Sequence, residues 1–171
     1  MKYILVVLIL GFSCKIGYRM EDDKIKEFLN RIAQIESSGG KNFDHPEMES
    51  GIHEGHQGIG RYGLMPNTVN ETLNRMRLRG SLTTDLAELR KLDADTLKQT
   101  LEQNPEIEDR IAGELAKKVL SQHPDDEMAA YSWNQGHNLK PEDVSARPYK
   151  EHDYVKKYNN IKKMMVGENN E

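Results

Sequence analysis

A carboxylate standing where an apolar helical rhythm stops is the first chemical signal in this chain. In RIAQIESSGG, residues 31–40, Glu36 comes four residues after Ile32 and seven after Leu29, at the edge of one face of a helix. The unpaired carbonyls of a helix C-terminus disfavour an anion, and so does burial. Both raise a carboxyl above its ordinary pKa of about 4.3. A carboxyl that keeps its proton near neutrality can protonate a departing glycosidic oxygen. Taken alone, the segment fits a solvated helix end equally well, because Ser37, Ser38, Gly39 and Gly40 make an ordinary stop signal.

A second concentration of chemistry is AAYSWNQGHN, residues 129–138, with Tyr131, Trp133, Asn134 and Gln135. Aromatic rings beside amides suit a sugar, ring against pyranose face and amides to hydroxyls. The alternative for Tyr131 and Trp133 is simple core packing. GIGRYG, residues 58–63, matches G-x-G-x-x-G literally, but HEGHQ precedes it and Pro66 follows closely, so the strand and helix of a dinucleotide site are not expected. His45, His53 and His56, with Asp44, Glu47, Glu49 and Glu54, share a Gly-rich stretch, yet HEGH lacks the H-E-x-x-H spacing. No metal and no cofactor is expected, and a polar loop lining a saccharide cleft fits that stretch better. There is no G-x-S-x-G, and no credible Ser-His-Asp or Cys-His arrangement.

These groups must be positioned by a chain of 171 residues, enough for one core. The formal net charge of −4 is spread along the chain, which speaks against a nucleic-acid partner. Lys156, Lys157, Lys162 and Lys163 read as one solvated helix face. Lys2 followed by YILVVLILGF reads as a secretory signal in residues 1–20, with a single domain over 21–171. Export to the periplasm or medium is the expectation. Cys14 is the only cysteine, so no internal disulfide can form. Its place directly after the apolar run suggests a lipoprotein acceptor site, with an ordinary cleaved signal or an uncleaved anchor as the alternatives.

The rest reads as helices. Ile25, Phe28, Leu29 and Ile32 keep three-four spacing, and acidic residues open the segment, which predicts a helix from Asp23 to Glu36. Further helices are predicted over 67–79, 84–92, 93–104, 105–122, 125–133 and 153–165, with no strand pattern. Between the first two lies a Gly- and His-rich stretch of over thirty residues without periodicity, long enough to suggest function. The fold class predicted is all-α.

With these stretches side by side, the chain resembles the lysozyme-like lytic transglycosylases, the soluble lytic transglycosylase and goose-type lysozyme group. Glu36-Ser37 is similar to that family's Glu-Ser pair at a helix end. Gly63-Leu64-Met65 resembles its Gly-Leu-Met-Gln stretch, AAYSWNQG its Ala-Tyr-Asn-x-Gly stretch, and Tyr154-Val155 its late Tyr-Val. IAGELA, residues 111–116, looks like the helix before the Tyr-Asn motif. Pro66 stands where the family has Gln, the segment before Gly63 is longer, and the third motif aligns best with Asn134 on the family Asn and Trp133 on its Tyr. The resemblance implies a lysozyme-like fold, peptidoglycan glycan strands as partner, a monomer, and cleavage of the β-1,4 bond between N-acetylmuramic acid and N-acetylglucosamine. Glu36 would be acid and base in turn, giving a 1,6-anhydro end. Ser37, Ser50, Tyr62, Gly63, Leu64, Met65, Tyr131, Trp133, Asn134, Gln135 and Tyr154 would contact substrate or orient the acid. Two alternatives stay open: lysozyme-type hydrolysis, for which Asp44, Glu47, Glu49 or Glu54 would supply the second carboxylate, and a non-catalytic peptidoglycan-binding protein on the same fold.

Overall fold

The three-four apolar spacing of the N-terminal segment becomes helix α1, residues 22–37, which buries Ile25, Phe28, Leu29, Ile32 and Ala33. The computed structural model describes residues 22–43, 45 and 57–167. The signal segment with Cys14, and Asp44, Glu47, Glu49, Ser50, His53, Glu54 and His56, lie outside the described residues. Among the described residues the chain is all-helical, without a strand, and no helix is long and apolar enough to cross a membrane.

After α1 the chain leaves the helix through Ser38, Gly39 and Gly40, all at positive φ. In the described residues from 57 onward, Ile59 and Leu64 exchange backbone hydrogen bonds of 2.9 and 3.0 Å and close a tight turn over the 3-10 helix Gly60–Tyr62. Part of the stretch read as featureless is therefore ordered. Helix α2 (Pro66–Leu78) begins on the proline itself. Pro66 prevents a helix from continuing out of GIGRYG, but at the first helical position its missing N–H costs nothing, and its fixed φ suits the start.

Helices α3 (Thr84–Leu89), α4 (Ala94–Gln103), α5 (Pro105–Gln122) and α6 (Asp126–Gln135) follow within a residue or a few of the predicted spans. Two short elements carry too little periodicity to be seen in advance: α7 (Pro141–Ser145) and a 3-10 turn, Tyr149–Glu151. Helix α8 (Asp153–Gly167) ends the described chain. Asp93 and Asp125 cap α4 and α6, accepting the amides of Thr96 at 2.9 Å and Met128 at 2.7 Å.

Helix α5 runs through the middle, with Ile111, Ala112, Leu115, Ala116 and Val119 all 2% exposed or less. The buried stripe also includes Glu108, whereas Ile107, expected on that face, is only half-buried. The main core gathers α1, α2, α4, α5 and Tyr154 and Tyr158 of α8. A satellite core of Met128, Tyr131, Val144 and Val155 binds α6, α7 and α8 together.

Candidate active site

Three elements meet at Glu36: the end of α1, the turn before α2, and the first turn of α8. Glu36 is the next-to-last residue of α1 and half-buried. The Tyr154 hydroxyl donates to its Oε1 at 2.7 Å. Its Oε2 lies over Gly63, where an added Cβ would stand 2.6 Å away. Gly63 has φ +61, so this position needs glycine twice, for its backbone and for the approach of the carboxyl.

Burial raises the Glu36 pKa above its ordinary value; the Tyr154 hydrogen bond and the charges of His45 and Lys157 pull part of it back. Tyr154 is itself pushed well above the usual tyrosine value, by burial first and then by the neighbouring carboxyl. It therefore keeps its proton and remains a donor. With Oε1 occupied by that donor, the acid proton of Glu36 belongs on Oε2.

Ser37, expected on the substrate side, is 1% exposed. Its Oγ lies 2.8 Å from the Arg61 carbonyl and 3.1 Å from that of Ala33, and it accepts the Gly40 amide at 2.8 Å. It staples the end of α1 to the turn rather than facing a ligand. Leu64, expected as a contact, is 2% exposed and part of the core, because the bridge to Ile59 turns it inward. Met65, half-buried, stands at the position before α2 and makes no side-chain capping bond there.

Tyr131 and Trp133 do not form one aromatic platform. Two residues apart on a helix point roughly 200° apart. Tyr131 enters the satellite core, edge-on to Tyr149 and His152, while Trp133 lies edge-on to Phe28 at 5.8 Å. Asn134 and Gln135 are exposed at the end of α6 and bonded to each other at 2.7 Å.

Three residues outside the expected substrate contacts hold the turn: His45, which the sequence offers only as a metal candidate, and Glu108 and Asp109, which it does not single out. His45 Nε2 lies 2.7 Å from the Gly60 carbonyl, an oxygen that can only accept, so Nε2 carries the proton. Glu108 accepts the Tyr62 amide at 3.1 Å, and Asp109 accepts the Tyr62 hydroxyl at 2.8 Å. The legible signal for Glu108 was a charged residue on the same stripe as Ile111, Ala112, Leu115 and Val119.

A cavity of about 610 Å³ is lined by Ile25, Leu29, Arg61, Tyr62, Met76 and Asp109 among others, and does not include Glu36. Its Asp109 already bonds Tyr62 and Arg61, and its Glu114 pairs with Lys117. The poised acid and this hollow are separate features, and the acid defines the candidate site. Among the described residues no group of three or more His, Cys, Asp or Glu is placed to hold a metal. Comparison with protein-family models, curated proteins and solved structures finds no match for this chain.

Proposed function

We propose that this chain is a peptidoglycan-cleaving enzyme on a lysozyme-like fold, a lytic transglycosylase acting on the bond between N-acetylmuramic acid and N-acetylglucosamine. The observation that carries this reading is Glu36: half-buried at a helix end, raised in pKa, bonded by Tyr154 and pressed on Gly63. The order of the Glu-Ser, Gly-Leu-Met, Tyr-Asn-type and Tyr-Val motifs supports it.

One carboxyl suffices for such a reaction. Glu36 Oε2 gives its proton to the glycosidic oxygen as the bond from that oxygen to the muramic anomeric carbon breaks. The 6-hydroxyl oxygen then bonds the same carbon, and its proton passes to the Glu36 carboxylate. The acid is restored and the product is a 1,6-anhydro end. Tyr154 donates to Oε1 throughout, stabilising the carboxylate between the two transfers.

Mass spectrometry of fragments released from purified peptidoglycan tests this, with Glu36→Gln beside the wild type. Anhydro ends from the wild type, reduced roughly 10³-fold or more in the variant, are expected. Reducing ends would move the assignment to hydrolysis. No fragments, with both proteins still pelleting with the polymer, would leave a binding protein.

A further inference from the structure

The turn that carries Gly63 is gripped mainly by groups outside the motifs. Glu108 is 2% exposed on the buried face of α5. Its carboxylate accepts the Tyr62 amide at 3.1 Å and bonds the Arg61 amide as well. An added Cβ on Gly60 would stand 2.5 Å from Glu108 Oε2, just as one on Gly63 would stand 2.6 Å from Glu36 Oε2. The turn thus rests on one carboxyl at each end. Asp109 holds the side chains of the same two residues, with Tyr62 Oη at 2.8 Å and Arg61 Nη1 at 3.3 Å. His45 takes the Gly60 carbonyl and Ser37 the Arg61 carbonyl.

Burying a carboxylate costs several kcal/mol unless it is well bonded, and charge-assisted bonds to amides are about twice as strong as neutral ones. A side chain with such a cost, spent on backbone amides one and two residues before Gly63, determines where that backbone sits. We propose that Glu108 is a positioning residue for Glu36: by gripping the Arg61 and Tyr62 amides it sets Gly63 against the Glu36 carboxyl, and so the direction in which the acid proton is presented. This rests on the reading of Glu36 as the reacting acid. Glu108 bonds the Tyr62 amide and lies against Gly60, while Glu36 lies against Gly63, so its influence passes through the turn. The charged groups that act on Glu108 are Arg61 from the turn and Asp109 from α5, and His45 bonds the Gly60 carbonyl beside it.

The test compares the full chain with its Glu108→Gln variant in two readouts: kcat and KM on peptidoglycan, and the titration of the Glu36 carboxyl carbon by NMR. A fall in kcat of roughly tenfold with KM within about twofold, and a displaced Glu36 midpoint, are expected. A folded variant with wild-type kcat and an unmoved Glu36 titration overturns the proposal. On the unaltered protein, the Gly63 amide shift should inflect with Glu108 near pH 7. Absence of that inflection overturns the proposal even if the variant does not fold. Coupled Gly63 and Glu36 responses in a protein that cleaves no peptidoglycan would keep the positioning role and discard the enzymatic reading.

Discussion

At the residue scale the chemistry depends on how a single carboxyl is kept protonated and aimed. Burial raises Glu36, and the Tyr154 hydroxyl is the largest influence in the other direction. Replacing Tyr154 by Phe removes a donor that favours the carboxylate, so the Glu36 pKa should rise further. The alkaline limb of the kcat/KM profile, where the acid loses its proton, should move to higher pH. At the wild-type optimum kcat should fall roughly tenfold, since the carboxyl is no longer oriented. A pH profile of fragment release checks both; a limb that stays put or moves to lower pH would contradict this role for Tyr154. Gly63 belongs to the same scale, because only a residue without Cβ admits Oε2 at that distance.

Among the elements, α6 illustrates how a cap supports a site it does not touch. Asp125 accepts the Met128 amide at 2.7 Å and opens a helix that carries Tyr131 into the satellite core and Trp133 onto Phe28. Ala129 and Ala130 are fully buried, which lets α6 pack closely on its neighbours. Asp125→Ala should lower the free energy of unfolding by about 1 kcal/mol. Urea denaturation measures this, and a change within about 0.3 kcal/mol would mean that the cap is replaced by water. α8 works differently, since its Val155 and Tyr158 are both buried while Tyr154 between α8 and α1 reaches Glu36. The satellite core therefore helps to set the position of the hydroxyl that holds the acid.

For the whole molecule, the buried carboxylates make stability depend on pH. Burial raises Glu108 from an ordinary 4.5 to about 7. Between those values the folded chain holds a proton that the unfolded chain has released. Its contribution is therefore full below pH 4.5 and lost as pH rises through about 7, on the order of 3 kcal/mol in all. Glu108→Gln removes this slope. The wild-type stability, measured relative to that variant by urea denaturation at pH 5 and pH 8, should fall by that order across the interval. An unchanged difference would mean that Glu108 is not desolvated. Ionised Glu108 is thus the form that grips the turn and also the less stable one, the kind of local cost expected where structure serves a reaction.

The helices were legible because burying a face imposes a period. Ile25, Phe28, Leu29 and Ile32 announce α1, and Pro105 and the residues after it announce α5, from local spacing alone. Glu36 was legible for the same reason, as a carboxylate at the edge of a buried stripe at a helix end. The short elements at 141–145 and 149–151 escaped, since five or three residues hold too little period to be recognised. Tertiary structure alone decided that Tyr154 meets Glu36 across 118 positions of sequence, that Glu108 lies beneath the turn, and that Ser37 serves the backbone. Contacts between residues so far apart depend on how helices cross, and crossing is set by the fit of whole faces, which no local window of sequence contains.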